Sequence, residues 1–200
     1  MSNNSDNRTI QDYLSLGYLY ILILGILTES IRYSFVGINI INYSTVLDVL
    51  LSPISILTQT ILLPIGFIIF GFLAWLLVRW SRKKHERKRT NPDYRARKDF
   101  DRLEYNYHNI KPIHSVLFIL ALFIFSAYCG YGIGGGYALK EDLTDGNFQL
   151  NRQITFADDT KIKVKEVGHN SLYFFCLEKS AEEVSIIPIQ GNIKKIENIN

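Results

Sequence analysis

Apolar residues occur in three long runs within the first 140 positions, and each run predicts a membrane-spanning helix. No Asp, Glu, Lys, Arg or His occurs in residues 49–78 or 115–139. Because a helix needs about 20 mainly apolar residues to cross the hydrocarbon core of a bilayer, both runs are long enough. The first run, 13–28, has 16 uncharged residues and reaches the required length with its apolar neighbours. The predicted spans are about 12–32, 58–79 and 114–136.

Two less apolar segments adjoin the first span. Residues 1–12 are predicted to form a polar N-terminus. Residues 40–57 combine apolar and aromatic residues with Asp48 and Pro53, which interrupt the pattern. This amphipathic segment is predicted to be interfacial, re-entrant or spanning, and its pattern leaves the three alternatives open.

The C-terminal part of the chain changes to short stretches that predict β-strands. Five candidates are NFQLNRQITF, TKIKVKEVG, SLYFFCLEK, EVSIIPI and IKKIENI. In the second stretch Ile162, Val164 and Val167 nearly alternate with lysines, which is typical of a half-buried sheet. Five strands in so short a segment predict a small all-β domain over 148–200, either an SH3-like barrel or an open sheet. The predicted fold class is therefore a membrane α-helical domain over 13–136, with three transmembrane helices, followed by this β-domain.

Composition and candidate chemistry add little to this picture. The chain is 48% hydrophobic and 20% charged, because the average combines apolar runs with a polar tail. Cys129 lies in the third run and Cys176 in the tail, with no spacing typical of a disulfide framework or zinc site. The four histidines are far apart along the chain and are not expected to converge on one site. No catalytic, cofactor-binding or metal-ligating residue and no cofactor is predicted, and a membrane enzyme remains only a lesser alternative.

The polar segment between the second and third spans is strongly basic. Residues 79–102 contain 11 of the 22 Lys and Arg residues and four acids, a net charge of +7. Basic residues that flank membrane spans are retained in the cytoplasm. The basic loop, 80–113, therefore predicts a cytoplasmic N-terminus and an extracytoplasmic C-terminal domain. It is also expected to contact anionic lipid headgroups, whereas nucleic acid is not expected as a partner. The residues predicted to set topology and to contact headgroups are Arg82, Lys83, Lys84, Arg87, Lys88 and Arg89.

A helix is predicted within this loop. Asn91 followed by Pro92 is a helix-start signal, with Asn as the N-cap and Pro in the first helical position. Aromatic and apolar residues then recur at roughly helical spacing, namely Tyr94, Phe100, Leu103 and Tyr107. The pattern predicts one short amphipathic helix on the cytoplasmic surface of the membrane.

Glycines are concentrated at the end of the third run, in the sequence GYGIGGG. They match a dinucleotide-binding pattern only formally, because a spanning helix precedes them instead of a strand. The same residues form two GxxxG spacings, Gly130 with Gly134 and Gly132 with Gly136. Small residues at this spacing let helices approach closely, so Ser126, Gly130 and Gly134 are predicted helix-packing residues. A flexible exit from the membrane is the alternative.

Two segments carry a resemblance to known proteins. SFVGINIINYSTVLDVLLSP and VGHNSLYFFCLEKSAEEVSIIPIQGNIKKI resemble parts of uncharacterised small bacterial multi-pass membrane proteins that have a strand-rich C-terminal tail. The resemblance implies residence in a bacterial membrane and no particular activity.

The expected function follows from the predicted architecture. A small β-domain displayed by membrane spans favours a non-enzymatic binding, sensing or assembly/immunity component. The alternative is a subunit of a small transporter or channel that is active only as an oligomer. The expected partners are the lipid bilayer and either further copies of this chain or another membrane protein.

Overall fold

The structure is a computed structural model that describes residues 10–59, 61–146, 148–179 and 183–199. The chain divides into two compact units, of which the first comprises Met1–Ile56 with Tyr128–Asn200 and the second Leu57–Ala127. Most of the predicted polar N-terminus, residues 1–9, lies outside the described residues.

Among the described residues, three helices are long and apolar enough to cross a membrane. They are α1 (Ile10–Ser34), α3 (Leu62–Lys88) and α6 (Pro112–Asp145). Many of their apolar side chains are exposed, including Leu14, Ile68 and Phe118. Apolar helices with exposed apolar surfaces are suited to lipid. The predicted order of three long apolar helices followed by a C-terminal β-domain is confirmed, and the helices are suited by length and composition to a membrane.

The segment after α1 folds into a 3₁₀ turn, Ile40–Tyr43, and a short helix α2, Val46–Gln59. At 14 residues α2 rises about 21 Å, which is less than the roughly 30 Å hydrocarbon core. The helix is therefore shorter than the hydrocarbon core, and the interfacial, re-entrant and spanning alternatives for this segment stay predictions. One face of α2 is buried and approaches α1 so closely that a Cβ on Gly25 would overlap the carbonyl group of Val49.

The second unit contains α3, the start of α6 and two short helices between them. These are α4 (Pro92–Arg95) and α5 (Phe100–Asn109). The apolar parts of α3 and α6 pack through stacked rings of Phe70 and Phe123, whose centroids are 3.6 Å apart. Ala74 beside them is 1% exposed. The segment predicted as a basic loop is thus mainly helical, and its first part continues α3.

The helix-start prediction at Asn91 is confirmed, because the Asn91 side chain accepts a hydrogen bond from the Asp93 backbone N–H at 2.9 Å. The prediction of one continuous helix is wrong. Helix α4 ends at Arg95. In the turn that follows, the Arg97 guanidinium pairs with the Asp99 carboxylate at 3.2 Å. This local pair is made in the turn between the two helices, and α5 begins at Phe100.

The C-terminal residues form a five-stranded antiparallel sheet in the order β4-β3-β2-β1-β5. Four strands form a meander and the fifth returns to pair with β1. The strands are β1 (Arg152–Phe156), β2 (Lys161–His169), β3 (Tyr173–Leu177), β4 (Ser185–Pro188) and β5 (Ile193–Asn198). The long β2 pairs with β1 through its first half and with β3 through its second half. All five predicted strands are therefore present.

Strand β3 is buried on both faces of the sheet. Phe174 and Cys176 join one apolar cluster with Ile154 and Val164 inside the β-domain. Phe175 and Leu177 point the other way, into a second cluster that is described below. Because β3 is buried on both faces, the segment SLYFFCLEK is a nearly continuous apolar run. Apolar and polar residues alternate only in strands that have one face exposed to solvent.

The second cluster joins the sheet to the helices of the first unit. Its buried members come from α1 and the segment after it, from α6 and from two strands: Tyr33, Ile38, Ile40, Leu139, Val167, Phe175 and Leu177. Helix α6 continues to Asp145, beyond the predicted span, because Leu139 and Leu143 on its last turns pack against this cluster. The β-domain is consequently seated on the helix ends and does not hang from a loose tether.

Candidate functional site

The C-terminal turns of α3 present a basic face. Lys83, Lys84, Arg87 and Lys88 are exposed and, at 100° per residue, lie within one side of the helix. Trp80 belongs to the same side and is 63% exposed, with the Lys84 ammonium 4.9 Å from its ring centroid. Exposed lysines and arginines beside an interfacial tryptophan are typical of a surface that meets lipid headgroups. These four residues form the basic face of α3.

The other two predicted headgroup residues have structural partners. The Arg82 guanidinium donates hydrogen bonds to the backbone carbonyls of Tyr107 at 2.6 Å and Ile110 at 2.7 Å. These carbonyls lie at the end of α5, where a helix leaves acceptors without intrahelical donors. Arg82 therefore caps α5, and Arg89 is bound to the acidic centre described next.

An acidic centre, Glu104 of α5, binds three side chains that carry or can carry positive charge. Its carboxylate lies 2.8 Å from His85 Nε2, 3.0 Å from His108 Nε2 and 3.2 Å from Arg89. The other ring nitrogen of His85 is 3.1 Å from the Tyr94 hydroxyl. The hydrogen bonds from His85 and His108 hold the pKa of Glu104 below its usual value. This cluster fastens α5 to the basic end of α3.

The expectation that the histidines would not converge is wrong for His85 and His108. The signal that could have found them is helical spacing. His108 follows Glu104 by four residues, and Arg89 follows His85 by four, so each pair lies on one helix face. The antiparallel contact that joins the two faces is not readable from spacing. His114 and His169 do not join the cluster within the described residues.

Contacts between α1 and the sheet define the seat of the β-domain. Tyr33 is 3% exposed, and its ring centroid is 5.2 Å from that of Phe175. Its hydroxyl occupies the space that a side chain on Gly168 would need. Beside it, the Arg32 guanidinium donates to the Val167 carbonyl at 2.9 Å. The Tyr33 ring, the space above Gly168 and the hydrogen bond from Arg32 together fix the angle between α1 and the sheet.

A second fastening lies at the start of α2. The Asp48 carboxylate accepts hydrogen bonds from Thr45 and from the backbone N–H and hydroxyl of Ser171, the latter two at 3.1 and 3.0 Å. Asn170 donates to the Tyr43 carbonyl at 3.0 Å. Asp48, an ionisable residue in an otherwise apolar segment, therefore holds the turn between β2 and β3. Its role is visible only in the tertiary structure.

Ion pairs connect the sheet to α6 and also lie on the sheet itself. Lys165 of β2 pairs with Asp142 of α6. Glu166 accepts from His169 at 2.7 Å and from Arg152 at 2.5 Å. The hydrogen bond between Glu166 and His169 lowers the pKa of Glu166 and raises the pKa of His169. The contact with Arg152 lowers the pKa of Glu166 further.

The glycines of α6 belong to a continuous helix and not to a flexible exit. Gly132 and Gly136 face α1. A Cβ on Gly132 would lie 2.8 Å from the Thr28 carbonyl oxygen, and one on Gly136 would lie 2.8 Å from the Arg32 carbonyl oxygen. One of the two GxxxG spacings therefore packs two helices within the chain, as the spacing predicts.

The other spacing has no such neighbour. A Cβ on Gly130 or Gly134 would meet nothing within 4 Å in the described structure. Ser126 on the same side of α6 is exposed and bonds only to the Leu122 carbonyl of its own helix, at 2.9 Å. Helix packing through Ser126, Gly130 and Gly134 stays a prediction, and it now concerns contact with another chain.

Both cysteines are free thiols. Cys176 is fully buried inside the β-domain, and burial raises the pKa of its thiol to about 12. Such a thiol acts as a small apolar core residue. Among the described residues, no group of three or more His, Cys, Asp or Glu side chains is arranged to hold a metal ion.

Comparison with family models, curated proteins and solved structures finds no match to this chain. Three features of the molecule bear on function: the seat of the β-domain, the basic face of α3, and the open glycine face of α6, which comprises Gly130 and Gly134.

Proposed function

We propose that this chain is a multi-pass inner-membrane protein that displays its β-domain outside the cytoplasm as a non-enzymatic binding, sensing or assembly/immunity component. The observation that carries the proposal is the seat of the β-domain on α1 through Tyr33, Gly168 and Arg32. A domain held in one orientation pays less ordering entropy on binding than one on a flexible tether. The arrangement therefore suits recognition of a partner close to the membrane surface.

The proposed orientation is supported by the basic face of α3. Four exposed cations on one helix side favour the cytoplasmic leaflet. Three spans then give a cytoplasmic N-terminus and an extracytoplasmic C-terminus. Replacing Lys83, Lys84, Arg87 and Lys88 by Gln should invert or scramble a C-terminal topology reporter while leaving Arg82 and Arg89 on their structural partners. An unchanged reporter signal would contradict the orientation.

We infer that the β-domain is a small SH3-like barrel. The supporting features are a meander of four strands, a fifth strand that returns to β1, and a long β2 shared between two halves of the sheet. A bulge between Glu166 and Gly168 allows β2 to bend between the halves. Closure would place Ile187 and Ile193 against one interior, so methyl NOEs between them are expected. Their absence would indicate an open sheet.

The binding role is tested by partner capture from native membranes. Leu172 and Ile196 are apolar residues of the β-domain that are 43% and 39% exposed. A photo-crosslinking residue at either position should yield one stoichiometric adduct. A crosslinker at Tyr105, an exposed residue of α5, provides the matched control. No specific adduct from the β-domain positions would count against the proposal.

The second candidate function is a subunit of an oligomeric transporter or channel. The open face at Gly130 and Gly134 favours it, because close helix packing between copies is one way to assemble a pore. Solute flux or conductance from the purified protein in liposomes would support this candidate. A silent preparation that forms a stoichiometric complex with a partner would support the binding role.

A further inference from the structure

A cavity of about 330 Å³ lies within the second unit, between α3, α5 and the start of α6. Its lining includes the apolar residues Leu77, Val78, Leu103 and Ile119 and the polar residues Arg82 and Asn106. On α3 the apolar Leu77 and Val78 precede Arg82 by about one turn, so the lining changes from an apolar to a charged end along this helix. The volume is within the range of sites for small ligands, at its lower end. A cavity with one apolar and one charged end is suited to an amphiphile.

The position of the cavity along α3 matches the boundary of a bilayer. Its α3 lining begins at Leu77, in the last turn of the uncharged run, and ends at His85 in the basic part. Eight residues of helix rise about 12 Å. The headgroup region is about 5–8 Å thick on each side of the hydrocarbon core. The cavity therefore extends from the edge of the hydrocarbon through the headgroup layer.

The charge at the polar end is not neutralised by an acid of the described residues. Arg82 bonds to two uncharged carbonyl groups and lies 4.9 Å from the ring centroid of Tyr107. Glu104 is already bound to His85, His108 and Arg89. A guanidinium has five N–H donors in a planar fork that matches phosphate oxygens, so donors remain for a ligand.

We propose that this cavity binds the phosphate and glycerol region of one anionic phospholipid. The phosphate would accept hydrogen bonds from Arg82, and the first acyl carbons would leave along Leu77 and Ile119. The apolar end favours a lipid over free phosphate, because a free anion gains nothing from those side chains. This inference rests on the membrane location of the chain and is independent of the role of the β-domain, so either can fail without the other.

The test is lipid binding to the purified, delipidated full-length chain, followed by native mass spectrometry. Phosphatidylglycerol and phosphatidylcholine are titrated separately. Both lipids present a phosphate to Arg82, but phosphatidylcholine also carries a trimethylammonium group, whose positive charge is repelled by the guanidinium. One phosphatidylglycerol should therefore bind about tenfold more tightly than one phosphatidylcholine. Equal affinity for the two lipids would overturn an anionic site.

Variants locate the binding site. Ser115→Phe fills the cavity from α6 without removing Arg82, and it should weaken phosphatidylglycerol binding at least about tenfold, because the added ring occupies the space that the lipid needs. Ser81→Phe fills the cavity from α3 and replaces Ser115→Phe if that chain misfolds. The matched controls are Ala138→Phe, which adds the same ring at an exposed position of α6, and Lys84→Gln, which removes an exposed charge. Retained binding in a folded cavity-filling variant would overturn the proposal.

A competition arm separates the two sources of phosphate. Inorganic phosphate in millimolar excess should leave the bound phosphatidylglycerol in place, because it lacks the apolar portion. Displacement by inorganic phosphate would overturn the lipid assignment in favour of a site for free phosphate.

Discussion

Tyr33 at the end of α1 lies over Gly168 of β2 so closely that its hydroxyl fills the position of a missing Cβ. The β-bulge between Glu166 and Gly168 occurs at this point of the strand. Bulges and strand glycines mark places where another group must approach the backbone. This contact therefore fixes the position of the β-domain on the end of α1.

Gly168→Ala should destabilise the seat of the β-domain. The added methyl group must displace a buried Tyr33, and overpacking of this kind costs about 1–3 kcal/mol. The expected result is a lower thermal midpoint of the full-length protein in detergent, with faster amide exchange in β2 and β3. Gly17→Ala is the control, because a Cβ there meets nothing within 4 Å. Equal midpoints for the two variants would contradict the contact.

Gly132→Ala should weaken the packing of α6 on α1. Its new Cβ would lie 2.8 Å from the Thr28 carbonyl oxygen, a backbone atom that cannot rotate away. Gly134→Ala, two residues along, adds a methyl group in open space and should be neutral or stabilising by up to about 1 kcal/mol. Unfolding of both variants under the same conditions measures the difference. A Gly134→Ala chain that is the less stable of the two would show that α6 faces the other way.

Gly130→Leu and Gly134→Leu test the open glycine face. Both changes should leave the fold intact, because nothing within the described structure contacts these positions. If the face packs against a second copy, the bulky side chains should weaken self-association in a membrane dimerisation assay. Undiminished association would remove this face as a packing surface, and Gly66→Leu, also in open space, provides the control.

Arg82→Gln should loosen α5 more than Lys83→Gln does. Arg82 donates to the carbonyls of Tyr107 and Ile110, whereas Lys83 is exposed on the basic face. Hydrogen bonds from a charged group contribute about 1.5–3 kcal/mol. Amide exchange in α5 should therefore accelerate in the Arg82 variant alone. Similar exchange in both variants would mean that the loss of charge, and not of the cap, is responsible.

The contact between Glu166 and His169 should make stability depend on pH in two directions. The folded pKa of His169 is raised, so its contribution is complete below the ordinary histidine pKa and is lost as pH rises through the raised value. The folded pKa of Glu166 is lowered, so its contribution is present above the ordinary glutamate pKa and is lost as pH falls through the lowered value. Both contributions are present between the two ordinary values.

His169→Gln should flatten the alkaline side of this profile and reduce the acid side without abolishing it, because the hydrogen bond from His169 is the largest cause of the lowered Glu166 pKa, while Arg152 still pairs with Glu166. Thermal midpoints of the full-length protein, measured from acidic to mildly alkaline pH, provide the comparison. His114→Gln, which replaces a histidine outside this pair, is the control. A wild-type profile that is flat across the histidine range would show that the pair does not contribute.

The helices and strands were predictable because their signals are local. Uncharged runs of sufficient length predict helices α3 and α6, and the short stretches after residue 148 predict the five strands. The cap at Asn91 depends on two adjacent residues and was equally readable. The break between α4 and α5 was not predicted, although Tyr94 and Phe100 are six residues apart, a spacing that does not keep two side chains on one helix face.

The sequence by itself determined which segments are apolar enough to enter a membrane, which form strands and where positive charge collects. Hydrophobicity, the side-chain period of helices and strands, and the local density of charge are properties of a few neighbouring residues. Each can therefore be read from a short stretch of sequence. Only the tertiary structure decided that Gly132 and Gly136, and not Gly130 and Gly134, face α1. Both pairs have the same spacing, and the rotation of α6 about its axis follows from long-range packing. The contact between Tyr33 and Gly168 likewise joins residues 135 positions apart, a distance over which no local pattern acts.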